Sequence, residues 1–127
     1  MRLVLAGTAG LLFGMLFLVA NSAAQTSTFK GEITDEKLHC IQTPLKPTDY
    51  GRTGCVLNMV YHMQPPSKYV LYNEATKTVY HLDNQRLVEP YVAAKVEVTG
   101  TLDAATKTIK VTSIQVDQSA YKTGAKP

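Results

Sequence analysis

Two stretches of the chain alternate apolar and polar residues in the manner of paired β-strands. Residues 68–82 alternate on either side of a turn at 73–77, and residues 95–116 do so around a turn at 103–107. A period of two on both sides of a short polar turn predicts a β-hairpin in each case. The alternation of the second hairpin shifts phase at Ser113, so Ile114 and Val116 can point inward only if a β-bulge lies there. We therefore expect a mostly β protein.

A fifth strand and a short helix complete the predicted architecture. Residues 28–33 alternate, with Gly31 on the inward face, where a sheet bends or bulges. Residues 84–88 follow an Asp-Asn pair and precede Pro90, which predicts a turn or two of helix. Five strands with a helix between the third and fourth are the plan of the OB fold. We predict a small five-stranded OB-like barrel, with an open sandwich as the structural alternative.

The first linker, residues 35–67, is long and mostly aperiodic. It contains four prolines and a turn-rich stretch from Asp49 to Gly54. A short helix or strand is expected around residues 55–63, where apolar residues fall at helical spacing. A crosslink would hold a linker of this length in place.

Cys40 and Cys55 are the only cysteines and have 14 residues between them. In an exported chain we expect them to form a structural disulfide, which stabilises a loop of this size by about 3 kcal/mol. The alternative is a metal site formed by His39, Cys40, Cys55 and His62, although its spacing lacks the short pairs typical of zinc sites. A pair of free or redox-active thiols is the third possibility. No metal and no cofactor is expected.

The N-terminus has the three parts of a secretory signal. Arg2 precedes 18 residues that are apolar apart from Thr8, and Ser22 and Ala24 supply the small residues of a cleavage site. We predict a signal peptide at 1–24, and the alternative is an uncleaved anchor. No cysteine follows the small residues, so a lipoprotein is not expected.

Cleavage leaves 103 of the 127 residues, which is enough for one domain at 25–117 and a disordered polar tail at 118–127.

The mature chain has a small charge surplus. Loss of Arg2 leaves 12 Lys and Arg against 10 Asp and Glu, a net charge of +2. Such a surplus excludes a polyanion binder that depends on charge alone, so nucleic acid is not an expected partner.

The outward face of the second and third strands is the predicted ligand-binding surface. OB folds use this face for oligonucleotides and oligosaccharides. Tyrosine and histidine side chains can stack on a ligand ring. The alternative is an ordinary solvated sheet face, where strand propensity alone favours Val and Tyr. The residues on this face are Lys68, Val70, Tyr72, Val79 and His81, while Tyr69, Leu71, Tyr80 and Leu82 are assigned to the core.

No catalytic constellation stands out. The acid–base candidates are three histidines with four possible carboxylate partners, and no serine lies in a G-x-S-x-G elbow. We therefore expect a protein that is not an enzyme. The histidines are His39, His62 and His81, and the carboxylates are Asp35, Asp49, Asp83 and Glu89.

The chain resembles a group of small secreted bacterial proteins that carry a single OB-like domain and whose function is uncharacterised. The resemblance lies in residues 29–35, the Cys40 and Cys55 pair, and the strand motifs at 68–71, 79–82 and 96–102. It implies an OB-like fold and an exported location, and it transfers no catalytic residue. Relatives often have further Cys or His residues in the first linker, which this chain largely lacks.

These observations predict an exported, non-enzymatic binding or envelope-interaction module, secreted or periplasmic, with no membrane span after signal cleavage. Its expected partner is an envelope protein or a glycan. The alternative is a metal- or redox-linked protein that uses the His and Cys residues of the first linker.

Overall fold

The computed structural model describes residues 25–46 and 50–122. The signal peptide predicted at 1–24 lies outside these residues. None of the helices in the described part of the chain is long and apolar enough to cross a membrane. The described residues form strands β1 (Ser27–Asp35), β2 (Tyr69–Asn73), β3 (Thr78–Leu82), β4 (Lys95–Asp103) and β5 (Thr108–Val116), and helices α1 (His39–Gln42), α2 (Gly51–Tyr61), α3 (Gln85–Val88) and α4 (Gln118–Lys122).

The five strands form one sheet that closes into a ring in the order β1-β2-β3-β5-β4. β1 belongs to both ends of this order, since its first part pairs with β4 and its last part with β2. Glu32 takes part in both pairings, opposite Lys95 and Tyr72. The parallel contact between β3 and β5 completes the ring. The predicted mostly β class and both hairpins are confirmed.

Gly31 lies next to this change of partner. A Cβ atom at Gly31 would stand 2.5 Å from the main-chain oxygen of Tyr72. The closest atoms belong to the main chain of Tyr72, which cannot move aside as a flexible side chain could, so only glycine fits where β1 passes from one neighbour to the other. The sequence pattern of β1 predicts a bend or bulge at this glycine, and the structure gives it a close approach to the main chain of Tyr72.

The expected bulge is present in β5. Thr99 pairs with Ser113, whereas the next residue, Gly100, pairs with Val111, so Thr112 is the extra residue. The bulge restores the inward position of Ile114, which packs against the core. Val116 remains exposed at the end of the strand, contrary to the inward position expected for it.

The core fills the interior of the ring and extends to the first linker. Of the predicted core set, Tyr69, Leu71 and Leu82 are buried. Tyr80 is half-buried, and its ring centroid lies 5.2 Å from that of Phe29. The buried core residues are Ile33, Cys40, Cys55, Val56, Met59, Tyr69, Leu71, Leu82, Val88, Val96, Val98, Ile109 and Val111.

The first linker is more regular than its sequence indicates. Its helix α2 begins at Gly51, before the predicted start at Cys55, and Val56 and Met59 form its buried face. A second short helix, α1, precedes it. Cys40 of α1 and Cys55 of α2 form a disulfide, with their Cα atoms 5.8 Å apart. The predicted disulfide is therefore confirmed, and it joins two helices.

The helix before β4 forms as predicted. The side chain of Asn84 accepts a hydrogen bond from the amide of Leu87, which caps α3. A 3-10 turn over Glu89–Tyr91 continues from it through Pro90, which a first helical turn tolerates.

The predicted disordered tail is corrected over its first part. Residues 118–122 form helix α4, because Asp117 accepts hydrogen bonds from the amide and hydroxyl of Ser119 at its start. The hydroxyl of Tyr121 accepts a hydrogen bond of 2.8 Å from the amide of Lys95, which holds the helix against β4. Residues 123–127 lie outside the described residues.

Candidate functional site

The predicted ligand-binding face is partly covered. Val70 is fully buried, and Tyr72 is only 8% exposed. Lys68 and His81 are exposed, and Val79 is half-buried. The ring of Tyr72 is therefore largely unavailable for stacking on a ligand, whereas the ring of His81 remains exposed.

The α1–α2 segment, residues 36–46 and 50–61, lies beside this face. Arg52 of α2 donates a 2.8 Å hydrogen bond to Glu32 of β1, the residue paired with Tyr72. Ile41 of α1 and Arg52 line the same cleft as Tyr72. The segment therefore contacts the outward side of β1 through Arg52 and shares a cleft with Tyr72.

A cleft of about 520 Å³ lies at this position. We call it the charged cleft. Its walls come from β1, the α1–α2 segment, the end of β2 with its turn, the start of β4, and α4. The lining residues are Lys30, Gly31, Glu32, Ile41, Arg52, Tyr72, Asn73, Glu74, Ala75, Lys95, Asp117 and Ala120.

Three cations and three anions line the charged cleft. Arg52 pairs with Glu32, and Lys30 lies 4.0 Å from Asp117 and 3.7 Å from Glu97. Within the described part of the chain, neither Lys95 nor Glu74 forms an ion pair. A cation and an anion are therefore left to interact with a ligand.

Glu32 lies in the charged cleft, paired with Arg52. Its side chain is 15% exposed. Desolvation raises the pKa of its carboxyl above the ordinary value, and the negative charge of Glu74 adds to this effect. Arg52 and Lys95 act in the opposite direction and lower it. A ligand cation that approached Glu32 and Glu74 would relieve the repulsion between the two carboxylates.

Asp117 contributes a carboxylate to the same cleft. The hydroxyl of Ser119 donates to it at 2.6 Å and, with the positive charge of Lys30, lowers the pKa of the Asp117 carboxyl. The carboxylate therefore stays ionised and offers a fixed negative charge beside α4.

A second cavity of about 410 Å³ lies on α2, and its described lining residues include no Lys, Arg, Asp or Glu. We call it the aromatic pocket. Tyr50, at its edge, is 86% exposed. The lining residues are His39, Tyr50, Gly54, Cys55, Asn58, Met59 and Met63.

The alternative metal site of His39, Cys40, Cys55 and His62 has no free thiol. Cys40 and Cys55 are bonded to each other, so neither offers a thiolate while the disulfide is intact. His39 and His62 are both exposed, and the ring of His39 lies 3.4 Å from the hydroxyl of Thr43. Across residues 25–46 and 50–122, no three His, Cys, Asp or Glu side chains form a group that could hold a metal ion.

The candidate carboxylates for acid–base chemistry have structural partners. Asp35 is fully buried and accepts hydrogen bonds from the first two amides of α1, at 2.9 and 3.1 Å. Asp83 accepts from a main-chain amide of β5 at 2.9 Å. Glu89 accepts from two tyrosine hydroxyls. Asp49 lies outside the described residues.

The Glu89 arrangement is a cluster that sequence reasoning missed. Its Oε2 atom accepts from Tyr69 of β2 at 2.6 Å and also from Tyr61 of α2. These hydrogen bonds lower the pKa of the Glu89 carboxyl, and Arg86 lowers it further. Burial and the neighbouring carboxylate raise the pKa of the Tyr69 hydroxyl. The cluster joins α2, β2 and the 3-10 turn.

Comparison with protein-family models, curated proteins and solved structures finds no match to this chain. The resemblance to small secreted OB-like proteins therefore stays a prediction that rests on the sequence motifs.

Proposed function

We propose that the protein is an exported, non-enzymatic binding module with an OB fold, and that its ligand binds in the charged cleft. The observation that carries this proposal is the cleft itself. Six charged side chains from five parts of the chain converge there, and Lys95 and Glu74 have no ion-pair partner among the described residues.

The topology supports the OB fold. The order β1-β2-β3-β5-β4, with a parallel β3–β5 contact and a helix between β3 and β4, is the arrangement expected of a five-stranded Greek-key barrel. The sharing of β1 between β2 and β4 is consistent with closure of such a sheet, which leaves fewer exposed strand edges.

The disulfide supports an exported location. Disulfides form and persist in oxidising compartments and are rare in the cytosol. The Cys40–Cys55 bond therefore agrees with the signal predicted at residues 1–24.

The charge pattern favours a ligand that carries both signs, such as a short peptide or another zwitterion. A cationic group would bind between Glu32 and Glu74, and an anionic group would bind Lys95. A polyanion would meet three carboxylates in the same cleft, which disfavours it.

Thermal unfolding with a defined probe tests this proposal. The probe is a pentapeptide of alternating lysine and glutamate, compared with a neutral glycine–serine pentapeptide. At a hundredfold excess over Kd, a ligand that binds only the native state stabilises it by about 2.7 kcal/mol. We expect the charged probe alone to raise the Tm.

The double variant Glu74→Gln/Lys95→Ala should abolish this rise while it keeps the fold, because neither side chain is ion-paired within residues 25–46 and 50–122. Lys110→Ala is the matched control, since Lys110 is an exposed cation outside the charged cleft. An equal Tm rise in the double variant, or no rise in the natural protein, would show that the charged cleft is not the ligand site.

A further inference from the structure

The aromatic pocket differs from the charged cleft in its chemistry, although both use the α1–α2 segment. On α1, His39 lines the aromatic pocket, whereas Ile41 lines the charged cleft. On α2, Arg52 contributes to the charged cleft, while Gly54 and Asn58 contribute to the aromatic pocket. The segment therefore forms a wall between two cavities of different character.

The aromatic pocket presents an exposed ring beside neutral polar groups. Tyr50 is exposed over 86% of its surface, although a buried ring would contribute far more to stability. Asn58 offers an amide and His39 an imidazole, and both are exposed. Met59, which is buried, and Met63, which is partly exposed, supply the apolar surface.

This combination matches the chemistry of a sugar ring. A pyranose has an apolar C–H face, which packs on an aromatic ring, and hydroxyls that both donate and accept hydrogen bonds. An amide and an imidazole have donors and acceptors to match them. A charged ligand would find no opposite charge among the lining residues. A fully apolar ligand would leave the amide and imidazole without partners.

We propose that the aromatic pocket is a binding site for a neutral saccharide, with Tyr50 as the stacking residue and Asn58 and His39 as the hydrogen-bonding residues. The site is distinct from the charged cleft, because no described residue lines both cavities. Failure of either proposal leaves the other open.

The methionines provide a direct readout. The chain has four methionines, and Met59 and Met63 are the two that follow the predicted cleavage site. Both line the aromatic pocket. Labelling the methionine methyl groups with carbon-13 in the exported protein therefore places both NMR probes at the site. Met59→Leu and Met63→Leu assign the two signals.

The probes are maltotriose, cellotriose and triacetylchitotriose, titrated singly up to about 10 mM, a range that detects weak binding. We expect at least one of them to shift the methyl signals in a saturable manner. Tyr50→Ala should weaken that binding by about tenfold, which is the size expected for the loss of a ring-stacking contact. Tyr50→Phe, which keeps the ring, should retain most of the affinity.

Tyr121→Ala is the matched control, because it removes an exposed tyrosine that lies outside the pocket. Unchanged methyl signals with all three saccharides would overturn the proposal. So would equal affinity in Tyr50→Ala and the natural protein. Shifts caused by hexanol but by none of the saccharides would instead identify an apolar crevice.

Discussion

Arg52 of α2 reaches Glu32 of β1 at 2.8 Å, at the residue where β1 changes its neighbour from β4 to β2. This ion pair joins the first linker to the sheet at the point where Gly31 lets the strand bend. The same contact forms the floor of the charged cleft. The position of the α1–α2 segment and the shape of the proposed site are therefore set together.

Replacement of Arg52 by alanine should destabilise the fold and change its pH dependence. The pKa of Glu32 is already raised, mainly by desolvation, and loss of Arg52 would raise it further. In the native state the carboxyl then binds its proton more tightly than in the unfolded state, so stability falls as the pH rises from the ordinary value of 4.5 through the native pKa.

Urea unfolding at pH values below and above this pH range measures the change in the free energy of unfolding. At neutral pH the free energy of unfolding of Arg52→Ala should be lower by about 1 kcal/mol, a small value because Arg52 is 40% exposed and solvent screens the pair. Arg52→Lys should recover part of it. An Arg52→Ala variant with the same stability as the natural protein at neutral pH would show that the ion pair does not hold α2 in place.

Substitution of Tyr72 should be much more damaging than substitution of His81, although both were assigned to one ligand-binding face. Tyr72 is only 8% exposed, and His81 is exposed. We expect Tyr72→Ala to lower the free energy of unfolding by about 2–4 kcal/mol. His81→Ala should change it by less than about 0.5 kcal/mol. Chemical denaturation compares them directly, and equal effects would contradict the observed burial.

The hairpins could be predicted because their signals are local. Alternation over residues 68–82 and 95–116, with polar turns between, is read from neighbouring residues. The bulge at Thr112 followed from the same pattern, since a change of phase has few other causes in a strand.

Burial of the β2 face could not be predicted from alternation alone. Alternation indicates which residues share one face of a strand, and it does not indicate what packs against that face. One signal was present, however. The run from Tyr69 to Tyr72 has no polar interruption, which is typical of a strand covered on both faces. The charged cleft gave no such signal, because its residues range from Lys30 to Ala120 and meet only in the folded chain.

The Glu89 cluster should make stability depend on acid pH. Hydrogen bonds from Tyr61 and Tyr69 lower the pKa of the Glu89 carboxyl below its ordinary value of 4.5. The stabilisation that the ionised Glu89 carboxylate contributes is therefore complete above pH 4.5 and disappears as the pH falls through the native pKa. Glu89→Gln should lower the Tm at neutral pH and flatten its acid dependence.

A pH series of thermal unfolding measures this change. Asp103→Asn is the control, because it removes a carboxylate at an exposed turn and leaves the Glu89 cluster intact. Tyr61→Phe and Tyr69→Phe should each reproduce part of the Glu89→Gln effect. If Glu89→Gln keeps the full acid dependence, another carboxyl group is responsible for it.

Removal of the disulfide should affect stability and both cavities together. The bond holds α1 against α2 over a separation of 15 residues, and these two helices contribute to the charged cleft and to the aromatic pocket. The double variant Cys40→Ala/Cys55→Ala should lose about 3 kcal/mol of unfolding free energy, the entropic cost of leaving such a loop open. Cys40 is also buried, so its removal adds a small packing loss.

Chemical denaturation separates the contribution of the crosslink from that of side-chain packing. It is measured for this variant and for the natural protein with and without a reductant. Reduction keeps both sulfur atoms and removes only the crosslink, so reduced protein should lie between the natural form and the double variant. Because the α1–α2 segment becomes free to move from the sheet, binding of the charged pentapeptide and of the saccharides should weaken in parallel. If stability falls while both affinities remain unchanged, the segment forms neither site.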